Sequence, residues 1–346
     1  MTVANSNTVS SNQQPKFALT LGLLLCMACS NLGAVEFVMP GYQRPDGAIT
    51  VLFNGNLIDP YFATKALLTA QQAGMQTDRA AHDWIEWAIS HQQEDGLFSR
   101  ICINGAEYRR CATADADDAM LAVWIELLIS ISPAREMPRH WQRSLLKAHS
   151  YLKSSLYDRG QKIFLISTTN RVGLLMDNLE VYRALKSLGH YYSVLGDTGR
   201  AELLARQVNE LRAGIMLQFW QPTLFQFRPS TQTLADSSFY PDHIAQLMPL
   251  LTGFDVPILR SSELYSSWME MHKKAWFDQV SDDYPWGLIA LVAAEVGDWR
   301  RVGCWLTHAT PFRHGKHWNV LEEAVFQGLL SNPAARAKMG PANDCS

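Results

Sequence analysis

From residue 59 onward, apolar side chains recur at intervals of three and four with hardly a break, the spacing of helices that bury one face. Asp59-Pro60 opens the first such helix, through about Ala73, with Asp as cap and Pro in the first turn; Gly74 ends it. Thr77 or Asp78 starts a second, which runs past Ile89 to the turn Gln92-Gln93-Glu94-Asp95-Gly96. A third follows Asp115 through Leu128, and after Pro133 and Pro138 a fourth covers Arg139 to about Leu156. Asp177 precedes a helix to Leu195, Gly196-Asp197-Thr198-Gly199 turns the chain, and Ala201 to Phe219 answers it. Tyr240-Pro241-Asp242-His243 begins the next pair, completed by Ser261 to Ala275. Another starts at Asp282-Asp283-Tyr284-Pro285-Trp286 and continues, after Gly297-Asp298, through Trp305. The last opens at His317-Trp318-Asn319 and runs to Leu330, and the tail beyond Asn332 holds too many breakers for a full partner. Before Asp59, turn signals surround short β-prone pieces such as Ile49 to Phe53, and Phe164 to Ser167 reads as a short strand.

The helices fall into pairs. The more apolar member of each begins with an acidic or amide residue, at Asp59, Asp115, Asp177, Asp242, Asp283 and Asn319, and a short turn leads to a more amphipathic partner. Stacking such hairpins with the apolar helices inside predicts an all-α fold, an (α/α)6 toroid of six hairpins with the last one incomplete, preceded by a short irregular, β-prone segment. Parallel inner helices would bring their N-termini to one face and gather Asp59, Asp115, Asp117, Asp118, Asp177, Glu180, Asp242 and Asp283 around one depression. Like charges crowded together raise one another's pKa, which a mere cap does not use and acid–base chemistry does.

Composition narrows the partners. A net charge of −3 in 346 residues offers no basic face for nucleic acid. Lys16 followed by the apolar run Phe17 to Ala28 reads as a signal peptide over residues 1–30, with Ala28 and Ser30 at the cleavage site; the alternatives are an uncleaved anchor or a lipid on Cys29. The mature part, 31–346, then forms a single toroid domain, exported to the periplasm or the medium, with any membrane attachment confined to that anchor or lipid. Four cysteines remain after cleavage, and Cys102 and Cys111 flank the turn Asn104-Gly105, so a disulfide closing that loop is expected. No spacing calls for a metal or another cofactor.

A cleft lined by acids and poor in lysine suits hydrolysis of a neutral polysaccharide or oligosaccharide. Inverting glycosidases use one protonated carboxyl at the leaving oxygen and one carboxylate on water, roughly 6.5–9.5 Å apart. Thr113-Ala114-Asp115-Ala116-Asp117-Asp118-Ala119-Met120 resembles the signature of family 8 glycoside hydrolases, six-hairpin enzymes that cleave β-1,4-linked polysaccharides with inversion. Asp115, Ala116 and Asp117 match that signature, while Thr113, Ala114 and Met120 depart from it. The resemblance implies Asp115 in the cleft and, through Phe239-Tyr240-Pro241-Asp242, Asp242 as the base that activates water; Pro241 is an insertion against the family pattern. The family's acid is a Glu opening the first inner helix, and Asp59 stands nearest to that place. Asp115, Asp242 and Asp59 are therefore the candidate catalytic residues, with Asp117, Asp118, Tyr240, Asp283, Trp286 and Trp318 as candidate substrate contacts.

Two other functions fit parts of the same pattern. Asp115-Ala116-Asp117-Asp118 is also similar to the Asp-x-Asp-Asp motif of class II terpene cyclases, where Asp117 would protonate an alkene. A toroid that binds a glycan in exopolysaccharide handling without cleaving it would keep the aromatics and need no strained acid pair.

Overall fold

A computed structural model describes residues 35–133, 135–232, 238–256, 260–339 and 345. The signal or anchor segment expected over 1–30 lies outside them. The helices are α1 (Pro60–Gln72), α2 (Asp78–His91), α3 (Asp117–Ile131), α4 (Arg139–Tyr151), α5 (Leu175–Val194), α6 (Thr198–Phe219), α7 (Met248–Thr252), α8 (Ser261–Asp282), α9 (Gly287–Glu295), α10 (Trp299–Ala309), α11 (Val320–Ser331) and α12 (Pro333–Arg336). The odd-numbered helices form a closed ring: α1 packs on α3, α3 on α5, α5 on α7, α7 on α9, α9 on α11, and α11 back on α1. The even-numbered helices lie outside. The six-hairpin toroid read from the apolar pattern is the fold, and its last outer helix is only the short Pro333–Arg336 turn.

Burial explains the division into layers. Every residue of α9 from Gly287 to Ala293 is buried, as is Asp118 to Ile125 of α3, because ring helices are covered on nearly all sides. Six tryptophans, Trp84, Trp124, Trp268, Trp276, Trp305 and Trp318, are fully buried, so most of the aromatic wealth serves the core. Their indole N–H groups still find acceptors, Trp84 on Thr64 Oγ1 at 3.1 Å and Trp124 on Ser144 Oγ at 2.9 Å.

Short strands decorate the ring. β1 (Leu57–Ile58), β2 (Ser99–Asn104) and β3 (Glu107–Thr113) form an antiparallel sheet, and β4 (Tyr157–Asp158) with β5 (Ile163–Phe164) and β6 (Trp220–Gln221) with β7 (Gln226–Phe227) form two small ribbons. The stretch between Cys102 and Cys111 is thus a β-hairpin rather than a loop, turning at Gly105 with φ +63°, and the expected disulfide closes it. A second disulfide, Cys304–Cys345, ties α10 to the C-terminal end.

Several helix starts differ from the sequence reading. Asp59 and Asn319 cap α1 and α11, as expected. Ala116, not Asp115, is the N-cap of α3. Leu174 occupies that place in α5, so Asp177 sits inside the first turn and caps nothing. α9 begins after Trp286 rather than at Asp283. The fourth inner helix is broken: Tyr240 is extended at φ −112° and ψ 130°, its bond to Pro241 is cis, Phe239–His243 forms a wide π turn, and only Met248–Thr252 is α-helical. Pro241 and Pro249 lack the N–H groups that a continuous helix would need.

Candidate active site

The N-termini of α1, α3 and α5 lie side by side, and their acids meet there. Asp59 is buried and engaged on both oxygens: Oδ1 accepts the Tyr61 N–H at 3.0 Å and Oδ2 accepts Arg100 Nε at 2.6 Å. Arg100, from β2, also holds Asp115 Oδ1 at 3.5 Å, and the Asp115 side chain is 84% exposed. One guanidinium therefore bridges a buried cap to an open carboxylate. With neither oxygen free to carry a proton toward a substrate, Asp59 orients Arg100, and this geometry does not suit the general acid role expected from the sequence.

Behind this pair, Asp117 is half-buried and Asp118, Asp177 and Glu180 are buried. Burial, reinforced by the Asp95 charge, pushes the Asp117 carboxyl up to about 6. Asp118 is pushed to about 7, chiefly by burial and also by Glu180 and Asp117, against the stabilising N–H of Ala119. Asp177 rises well above the ordinary carboxylate range through burial and the charges of Asp118, Glu180 and Asp115. Glu180 Oε1 receives Lys65 Nζ at 2.5 Å and the Tyr61 hydroxyl at 2.9 Å, linking the two helices that flank α3.

The broken fourth inner segment supplies an aromatic wall. Tyr240 is 49% exposed and stacks on Trp286, ring centroids 4.9 Å apart and planes 22° from parallel. Partial burial and the charges of Asp177, Asp115 and Glu180 push its phenol up to about 12, which places Tyr240 beside the acid cluster. Trp286 holds a left-handed backbone, φ 52° and ψ 50°, at the entry to α9. Next to it the Tyr284 phenol is raised by burial and by Asp283 and Glu322, with Arg100 and Asp59 also within electrostatic reach. Glu322 of α11 is buried and pushed to about 7 by that burial, while Oε2 accepts the Gly287 N–H at 2.8 Å. A Cβ at Gly287 would lie 2.7 Å from Glu322 Oε2 and 2.7 Å from the Trp305 ring. Gly287→Ala is expected to cost on the order of 1–3 kcal/mol by overpacking, read as a lower melting temperature.

The structure thus brings Asp59, Asp115, Asp118 and Tyr240 together, with Asp117 next to Asp118 but also within reach of the Asp95 charge, and stacks Trp286 on Tyr240, while Asp283 acts on Tyr284 and Glu322. Two expected residues stand apart. Asp242 turns its Oδ2 to Ser238, accepting the backbone N–H at 3.0 Å and the hydroxyl at 3.3 Å, and the neighbouring Tyr240 faces the acids instead. Trp318 is fully buried between Trp305 and Phe326 and donates to Glu323 Oε2 at 3.0 Å, so its ring has no face open to a sugar. Tyr61, Lys65, Arg100 and Tyr284 were not singled out from the sequence. Lys65 carried a signal: it is the one charge within the otherwise uncharged Pro60–Gln72.

No protein-family profile and no curated protein matches the chain. Among solved structures it is similar to the GH63 mannosylglycerate hydrolase from Thermus thermophilus, with a TM-score of 0.56 and 12% identity over 83% of this chain and 96% of that one. A D-mannose isomerase follows at TM-score 0.52 and 13% identity, covering 85% of this chain and 94% of the other. An α-amylase from Clostridium perfringens gives TM-score 0.52 and 12% identity, with 88% and 89% covered. These likenesses agree with the six-hairpin toroid seen in the ring of helices. At these identities the likeness shows the fold alone.

Proposed function

We propose that this chain is an exported glycoside hydrolase that cleaves a polysaccharide or oligosaccharide by carboxylate acid–base catalysis with inversion. The observation that carries the reading is the group of acids at the starts of α3 and α5: Asp117, half-buried and pushed to about 6, lies next to the buried Asp118, while the open Asp115 carboxylate acts on both Asp177 and the Tyr240 ring that stacks on Trp286. A carboxyl that keeps its proton near neutrality can donate it to a leaving glycosidic oxygen. Asp115, two residues earlier and held by Arg100, is the carboxylate available to activate water. Tyr240 over Trp286 offers a flat face for the C–H side of a sugar ring. Two disulfides agree with export to an oxidising compartment, periplasmic or extracellular.

The test is incubation of the purified domain with β-1,4-glucans and bacterial exopolysaccharides, reading new reducing ends and the anomer first formed by NMR. Release of the inverted anomer is expected, and Asp115→Asn is expected to lower the rate at least about 100-fold. Binding without cleavage would replace this reading with that of a glycan-binding toroid, which the double engagement of Asp59 favours. Turnover of an isoprenoid diphosphate, lost on Asp117→Asn, would point to the cyclase chemistry that the same acid could serve.

A further inference from the structure

Three buried carboxyl oxygens on two adjoining ring helices have no hydrogen-bond partner: Asp118 Oδ2, Asp177 Oδ2 and Glu180 Oε2. The residues that carry them are 0%, 9% and 3% exposed. Among the described residues the cation bonded to the group is Lys65, which sits on Glu180 Oε1 together with the Tyr61 hydroxyl. Three carboxylates against one ammonium in a dry place would be costly, and buried acids in that position take up protons instead.

Geometry says which of them does so. Glu180 receives two donors on Oε1, one of them charged, and so is already partnered without the other two acids. Asp118 Oδ1 accepts the Ala119 N–H at 2.9 Å, and the unpartnered Oδ2 of Asp118 and Oδ2 of Asp177 belong to carboxyl groups that lie within side-chain hydrogen-bond reach of each other. One proton between these two oxygens turns one into a donor and the other into its acceptor, so that a single proton satisfies both. We propose that Asp118 and Asp177 share one proton, and that Glu180, anchored by Lys65 and Tyr61, is the positioning residue that keeps it there.

The charged and titratable groups around the pair are consistent with this. Asp115 and Asp117 face it from the start of α3, Glu180 from α5, Tyr61 and Lys65 from α1, and Tyr240 from the broken fourth segment. Apart from Lys65 these groups are acids or phenols, so they favour the protonated pair. The pair's role rests on the proposed hydrolysis, in which Asp117 is the donor: with one proton held, the pair puts one less negative charge beside Asp117. The pair itself requires no activity to be detected.

Infrared titration of the whole protein provides the test, reading the C=O stretch of protonated carboxyl groups and taking the component lost in Asp118→Asn. That component is expected to be present at pH 6.5, to persist in Asp117→Asn, to disappear in Asp177→Asn, and to titrate at least one pH unit lower in Glu180→Gln. Circular dichroism identifies any variant that fails to fold; if Asp118→Asn does, the component lost in Asp177→Asn takes its place, and Lys65→Met, which removes the cation that anchors Glu180, stands in for Glu180→Gln as a variant that must move the midpoint. A band absent from Asp117→Asn would overturn the shared proton, since the wild-type signal would then belong to Asp117. A midpoint unmoved by Glu180→Gln would overturn the positioning role. Neither result depends on glycan cleavage, so failure here and failure of the hydrolase reading are separately visible.

Discussion

Asp117→Asn is expected to lower the rate of glycan cleavage by about 10²–10⁴-fold while leaving glycan binding within a few-fold of wild type. Asn keeps the shape and a hydrogen-bond donor but has no proton to give up, so ground-state contacts survive and the transition state loses its acid. The pH dependence has a definite sign. Asp117 must be protonated to act, burial and Asp95 hold it near 6, and wild-type activity should therefore fall as pH rises through about 6. Asp117→Asn should lose that limb along with the rate. Asp117→Glu lengthens the acid by one methylene and should retain part of the activity, because the proton remains while the reach changes.

Asp118→Asn is expected to make the protein more stable at alkaline pH. In the folded chain Asp118 is pushed to about 7, mainly by burial, whereas an unfolded Asp titrates near 3.9. Between those values the folded state binds more protons than the unfolded one, so stability falls as pH rises through that window and the loss is complete above about 7. Below about 4 both states hold the proton and the penalty is absent. Asn carries no charge at any of these pH values, and its side-chain oxygen can keep the bond to the Ala119 N–H. The gain at pH 8 should be on the order of 1–3 kcal/mol, less than a full three-unit shift would give, because Asp177 shares the same penalty. Thermal melts should show Asp118→Asn above wild type at pH 8, with the difference closing by about pH 4. A difference that does not move in favour of Asp118→Asn between pH 4 and pH 8 would mean that the folded chain does not disfavour the Asp118 carboxylate.

The ring was legible because its evidence is periodic. Apolar spacing of three and four marked the inner and outer helices, and Gly74, Gly196 and Gly297 marked turns that the chain does make, each with a positive φ. The acidic starts of α1, α3 and α5 were visible too, and they do converge. Individual side-chain roles were not. Asp177 looked like a cap because it precedes an apolar run, yet α5 begins two residues earlier, at Leu175, and turns the carboxyl inward. Asp242 rests on the family 8 resemblance, in which Pro241 is an insertion, and the extended Tyr240 backbone next to that proline bends the segment so that it presents the tyrosine. Trp318 is expected as a substrate contact, and only its packing against Trp305 and Phe326 assigns it to the core. Arg100 was hidden because its partners, Asp59 and Asp115, are 41 and 15 positions away, and side-chain contacts over such separations leave no local pattern.

The most direct test of the acid role compares Asp117→Asn with wild type on two substrates, an oligosaccharide that is cleaved and the glycosyl fluoride of the same sugar and anomeric configuration. Fluoride leaves without needing a proton. The account predicts that Asp117→Asn loses about 10²-fold or more on the oligosaccharide and stays within roughly tenfold of wild type on the fluoride. Equal losses on both substrates, or full activity on the oligosaccharide, would contradict it.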